Sequence, residues 1–355
     1  MAARSPAPAA DSRRRAVAEV NLAVINPIAL YPLRFEPIYQ YRLWGGRRLA
    51  SLLSAPLPGD GPVGEAWILS DRDDHPSLVA DGPLKGRTIA QLLGQYQGEL
   101  LGRLAGRFPR FPLLLKFLDV RTRLSVQVHP SDSEIEFLPQ GETGKTEAWV
   151  VLEDEPESRI YVGLKPSTTA TDLRAAISNG KAEDYLTSFT PHLGDSILVR
   201  AGTVHSLKDV VVFEVQENSD VTFRIYDWDH VDPMTGKRRA LQVDQGLACI
   251  DFTQVAVDPV APVVEETTPI LRERLLHCDH FGVWRIRGEA PFTVGMADTP
   301  SVLVCLAGKG QLEHGDAKYD FGNGDVVLLP AVVGACLCRP LGAVNLLEVS
   351  LPDSP

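Results

Sequence analysis

Apolar residues along the chain fall mainly into short runs, each cut off by Gly, Pro or acidic residues. Segments 112–118, 124–129, 148–152 and 160–164 are β-branched or aromatic and too short for helices, so they read as strands. Strands resume at 196–200, 210–215 and 221–225. Segment 64–79 reads as short strands joined by turns. The Pro-rich, aromatic stretch 22–52 contains a turn at Trp44-Gly45-Gly46. Helical spacing appears at Ile89, Leu92, Leu93, Leu100, Leu101 and Leu104, which predicts a helix within 84–104. The acidic, Ala/Leu-containing segment 171–188 predicts one or two short helices set among the strands.

A Pro-rich linker is expected over 255–269, and a second series of strands follows at 281–286, 292–296, 301–306, 310–313 and 326–329. Many short strands at about 8–12-residue spacing indicate a sandwich or barrel, here two in tandem. The expected organisation is a disordered tail over 1–21, a first lobe over 22–254, the linker, and a second lobe over 270–355.

Composition adds exclusions. The 355 residues are 44% hydrophobic and 23% charged, ordinary for a soluble globular protein. A net charge of -11 leaves no excess of Lys or Arg to neutralise nucleic-acid phosphates. A small phosphorylated substrate would therefore need a local basic pocket. Cys249, Cys278, Cys305, Cys336 and Cys338 form no C-x-x-C pair and sit mostly in apolar stretches, so buried free thiols are expected. The Arg13-Arg14-Arg15 cluster is not followed by the apolar run of a secretory signal. No segment reaches the roughly 18 uninterrupted apolar residues of a membrane span. A cytoplasmic monomer or homodimer is the expectation.

Strand alternation gathers the candidate chemistry. Ser125, Gln127 and His129 face one way while Val126 and Val128 enter the core. Lys145 and Glu147 align on another strand, and His205 ends a third element that begins at Gly194. Two imidazoles, a carboxylate and an amide oxygen make an N/O site suited to Zn²⁺ with room for a substrate. Singly, each residue has a plainer role: a hydrogen-bonded His, a polar core Gln, a Glu paired with Lys145. His75, His192, His230, His277, His280 and His314 lack strand-face partners of this kind, and the His277/His280 cluster reads as structural.

The spacing Gly194-x5-Arg200-x-Gly202-x2-His205 resembles the second cupin motif, with Arg where Pro is usual. LSVQVHPSD (124–132), GKTEAW (144–149) and AGTVH (201–205) resemble type I mannose-6-phosphate isomerases. So do Trp44-Gly45-Gly46, GEAW (64–67) with Ser70, and EVQENSDVTFR (214–224). The similarity runs from about Tyr31 to Val243 and continues loosely to the C-terminus. It implies a mainly β fold of two tandem cupin (jelly-roll β-barrel) lobes with a small helical segment near 170–190. It also implies one Zn²⁺ per chain, held by Gln127, His129, Glu147 and His205. Lys145, Glu214, Asp220 and Arg224 fall on its active-site positions. Only 57 residues separate Glu147 from His205, which resembles the short bacterial form.

The implied reaction interconverts D-mannose 6-phosphate and D-fructose 6-phosphate through a cis-enediol. Ser125, Trp44, Lys145 and Arg224 are candidates for contact with the sugar phosphate, Trp44 and Trp67 are candidates to wall its pocket, and Asp220 with His129 is a candidate ring-opening pair. Other readings of the same residues are an isomerase of glucose 6-phosphate or free mannose, an Fe(II) dioxygenase, and a non-catalytic sugar-phosphate sensor. In the second lobe, Gly324–Pro330 copies the cupin Gly-x5-Pro turn but continues without a ligating His, which reads as a degenerate copy kept for packing.

Overall fold

The structure, a computed structural model, describes residues 29–254 and 256–351 together with Met1; the tail expected over 1–21 lies outside the described residues, Met1 apart. The described chain is mainly β, as its patterning implies. Its first lobe is a nine-stranded sheet centred on His205–Glu217, which pairs antiparallel with Leu113–Arg123, with Val126–Val128 and with Glu147–Leu164. Beyond Leu113–Arg123 lie Glu65–Leu69 and Ile38–Gln40, and Phe223–Tyr226 flanks Val126–Val128.

The second lobe is a seven-stranded sheet packed on a four-stranded one. Ile286, Leu303, Leu312, Phe321, Val327 and Cys338 fill the space between them. Another core joins the two lobes: Phe117, Val150 and Phe213 of the first pack in one cluster with Leu275, Val302 and Leu347 of the second. Burying one apolar face of each sheet against the other makes the lobes a single packed body. Leu33–Arg34 goes further and pairs with Val326–Leu329, so an N-terminal segment extends the second lobe's sheet. At Gly324 the backbone has φ +77 and lies against the Leu52 carbonyl, leaving no room for a Cβ. The Gly-x5-Pro turn is thus a packing surface between lobes.

The helix Ile89–Leu101 buries Ile89, Leu92, Leu93, Tyr96, Leu100 and Leu101, and Thr88 and Gln91 close a capping box at its start. Ala170–Ser178 and the short 3₁₀ turn Ala182–Tyr185 supply the smaller helical segment, again capped reciprocally by Thr169 and Asp172. Some boundaries differ from expectation. The two strands expected at 148–152 and 160–164 are one strand, Glu147–Leu164, because its neighbour His205–Glu217 continues past the acidic interruption and pairs with both halves, its register shifting between Val151 and Glu153 and between Asp154 and Arg159. Part of the expected linker is a strand, Val263–Glu266, which pairs with Leu271–His277. Leu271–His277, Ala317–Gly322, Cys336–Pro340 and Val344–Ser350 are further strands that the pattern did not signal, and Val243–Cys249 is a further helix.

Candidate active site

Val126 and Val128 are buried in the core behind Val126–Val128, which turns Ser125, Gln127 and His129 to the opposite face. Gln127 pairs in register with His205 on one side and Arg224 on the other, so the sheet brings together residues far apart in sequence. Glu147 begins the neighbouring strand, and Lys145 precedes it.

His129, Glu147 and His205 converge. Nε2 of His129 lies 3.4 Å from one Glu147 oxygen, and Nε2 of His205 lies 3.3 Å from the other. All three are almost fully buried and form a group able to hold a metal ion. Nδ1 of His129 is 2.9 Å from the Val221 carbonyl and Nδ1 of His205 is 2.9 Å from the Thr203 carbonyl. A carbonyl can only accept, so each Nδ1 carries the proton and each Nε2 presents its lone pair to the group, that of His129 facing Lys145 Nζ at 3.4 Å. Burial, with Lys145 adding to it, depresses the His129 pKa to about 3; burial lowers that of His205 as well. Both rings are therefore neutral, the state in which imidazole binds metal.

Glu147 is the carboxylate of the group. Burial disfavours its charge, but the Lys145 ammonium holds its pKa well below the ordinary value. Both of its oxygens are buried; Oε2 is met by Lys145 Nζ at 2.8 Å, and Oε1 completes no hydrogen bond. A buried carboxylate left so under-satisfied suits a cation among these atoms. Gln127 stands beside the group, with Nε2 3.1 Å from His205 Nε2 and Oε1 accepting from Ser125 Oγ at 3.3 Å. Turning the amide over would exchange the two atoms and aim oxygen at the group.

In front of this group opens a pocket of about 430 Å³, with Gln127, Lys145 and Glu214 in its wall. Arg42, Lys116, Arg224 and Arg239 join Lys145 there, facing Glu65, Glu214, Asp220 and Asp232, so this acidic chain gathers a slight excess of cations at one site. Ser125 and Trp44 line it too; Trp44 is also a core residue packed against Val120 and Trp149. Arg224 donates through Nε to Ser125 Oγ at 3.3 Å and through Nη1 to the Ala240 carbonyl at 3.1 Å. Burial, then the neighbouring Arg239, lowers its pKa.

Lys116 is the residue that the sequence pattern passed over. It is buried, it lies opposite Glu214 in register, and its Nζ is 3.4 Å from Glu214 Oε1 and 3.9 Å from Asp220 Oδ1. Its ammonium stands 4.8 Å from the Trp67 ring centroid. A lone Lys inside the apolar run 112–118 was the available signal, since an unpaired buried ammonium is costly. Glu214 also accepts from Trp149 Nε1 at 2.9 Å, and burial followed by the Glu147 charge raises its pKa. Burial opposes charge on Lys145, but Glu147, Glu214 and Asp220 outweigh it and raise its pKa.

Two sequence expectations change here. Asp220 is half exposed and its ion-pair partner is Lys116, while His129 Nδ1 is committed to the Val221 carbonyl. Trp67 does not wall the pocket; its Nε1 donates to Glu65 at 2.6 Å, and Glu65 in turn holds Arg42. Despite burial, Arg42 and Lys116 depress the Glu65 pKa to about 2. His277 lies near Trp284, and His280 pairs with Glu217.

The family model for the catalytic domain of type I phosphomannose isomerase matches residues 33–157. The chain is 34% identical over 309 residues to mannose-6-phosphate isomerase ManA of Bacillus subtilis, covering 85% of this chain and 94% of that protein. It is 32% identical over 307 residues to the mannose-6-phosphate isomerase of Streptococcus mutans, covering 85% and 93%. Among solved structures, the mannose 6-phosphate isomerase of Bacillus subtilis superposes with a TM-score of 0.82 at 28% identity, covering 90% of this chain and 99% of that one. A phosphomannose isomerase from Salmonella typhimurium shares the fold, with a TM-score of 0.73 at 16% identity over 90% and 99% of the two chains.

Proposed function

Since the chain belongs to the type I phosphomannose isomerase family and is an aldose–ketose isomerase, we propose that it interconverts mannose 6-phosphate and fructose 6-phosphate with one Zn²⁺ held by Gln127, His129, Glu147 and His205. The observation that carries this is the convergence of two unprotonated Nε2 atoms on a buried carboxylate with one oxygen left without a hydrogen bond, directly behind a pocket lined by five basic side chains. Neutral imidazoles, a carboxylate and an amide oxygen form a borderline N/O donor set that suits zinc. When bound, the ion supplies Lewis-acid polarisation of the sugar carbonyl and stabilises the negative charge of the enediolate.

The chain's own side chains do the rest. The pocket is large enough for a hexose phosphate. Arg224 and Ser125 meet the phosphate at its outer side, where a permanent guanidinium and a hydroxyl are suited to its oxygens. Lys145, Lys116, Glu214 and Asp220 handle protons at the inner side: ring opening moves a proton between the hydroxyl and the ring oxygen, and isomerisation moves one between adjacent carbons. The Lys116–Glu214 contact of 3.4 Å and the Lys145–Glu147 contact of 2.8 Å keep these groups where a sugar in the pocket can reach them. Trp44 closes the wall beside them.

The test is conversion of mannose 6-phosphate to fructose 6-phosphate by purified protein, before and after chelation and after zinc is restored. Turnover is expected to fall on chelation and to return with zinc. Chelator-insensitive turnover would overturn the metal assignment, and faster turnover of glucose 6-phosphate or free mannose would overturn the substrate.

A further inference from the structure

We propose that the cleft between the lobes is a second binding site, for a small anion with an apolar body, independent of the metal centre. A cavity of about 330 Å³ lies there, walled on the first lobe by Phe117, Val150 and Leu152 and on the second by Arg285, Arg287 and Asn345. Its lining holds two arginines and no acidic residue. Both guanidiniums donate to the same oxygen of Glu273, Arg285 at 3.1 Å and Arg287 at 2.9 Å, so one carboxylate faces two permanent cations. Arg285 is fixed further by donating to the Gly194 carbonyl at 3.2 Å. Asn345 Oδ1 is buried and has no hydrogen-bond partner, and turning the amide over would present its NH2 donors to an anion.

An apolar wall opposite a surplus positive charge selects for both halves of an amphiphilic anion such as a carboxylate or phosphate ester. The wall residues sit on strands that carry the active site on their other face. Phe117 follows Lys116, and Val150 lies three residues beyond Glu147, so the cavity lies on the face of the sheet turned away from the metal group.

Octanoate is the probe, titrated calorimetrically into the whole protein at low salt with and without saturating mannose 6-phosphate. One saturable site is expected, unaffected by the sugar phosphate, and octanol, which lacks the charge, is expected not to bind. Arg287→Gln should weaken octanoate by about tenfold or more, and Ala307→Leu, which narrows the cavity without touching a charge, should do the same. Both variants are expected to keep their circular dichroism and their isomerase turnover. Absence of saturable binding, displacement by mannose 6-phosphate, or wild-type affinity in both variants would overturn the proposal.

Discussion

At the scale of single residues, the centre depends on which atom of each ring is committed elsewhere. The carbonyls of Val221 and Thr203 take the Nδ1 protons and thereby present both Nε2 atoms to Glu147. Which side chains share a face was legible in the sequence, because alternation on 124–129 and the alignment of Lys145 with Glu147 depend only on strand periodicity, whereas the carbonyls that orient the rings were not. Lys116 was not legible. Its importance comes from lying opposite Glu214, and register between strands about a hundred residues apart is not written in either one. Arg224 offers a residue-level test of phosphate recognition. Arg224→Gln should raise KM for mannose 6-phosphate about tenfold or more while leaving zinc content at the wild-type level, as steady-state kinetics and elemental analysis would show. An unchanged KM would remove Arg224 from the phosphate side.

At the scale of elements, strands buried on one face followed their apolar pattern, and strands held by ion pairs escaped it. Leu271–His277 alternates charge with charge: Glu273 meets Arg285 and Arg287, and Arg272 meets Glu348. Such cross-strand neutralisation is invisible in a single segment. Turns show the converse, because a glycine can reveal a close approach. A Cβ on Gly45 would come within 2.5 Å of the Gly64 nitrogen, so the loop carrying Arg42 and Trp44 lies directly on the strand that carries Glu65. Gly94, in the helix Ile89–Leu101, has nothing within 4 Å of such a Cβ. Opposite signs follow. Gly45→Ala should destabilise the protein by about 1–3 kcal/mol, and Gly94→Ala should stabilise it by about 0.5–1 kcal/mol. Urea denaturation of the two variants measures both.

At the scale of the molecule, the two lobes are tied by a shared core, by the crossing strand Leu33–Arg34, and by a polar contact close to the His129/Glu147/His205 group. His280 of the second lobe lies 3.1 Å from Glu217, whose other oxygen accepts from the Thr146 backbone one residue before Glu147. The hydrogen bond to Glu217 raises the His280 pKa above its ordinary 6.5; burial opposes the shift, while the charges of Glu217, Asp132 and Asp279 add to it. A raised folded-state pKa contributes stability that is complete below the unfolded value and is lost as pH climbs through the folded one. The Tm advantage of wild type over His280→Gln should therefore be largest below pH 6.5 and shrink above it. A constant difference across that range would mean that His280 contributes only by packing. The tandem β architecture was legible from strand spacing, but the sharing of strands and core between lobes was not, because it is a property of packing and not of any local pattern.

The central claim is that His205 completes a zinc centre without which the pocket cannot isomerise its sugar. Elemental analysis of the purified wild type and of His205→Ala, read beside the mannose 6-phosphate assay, tests it most directly. The account predicts about one zinc per wild-type chain. It predicts little or no zinc in the variant, with circular dichroism preserved and turnover reduced by at least about a hundredfold. A His205→Ala protein that kept wild-type zinc, or that turned over normally without it, would contradict the account.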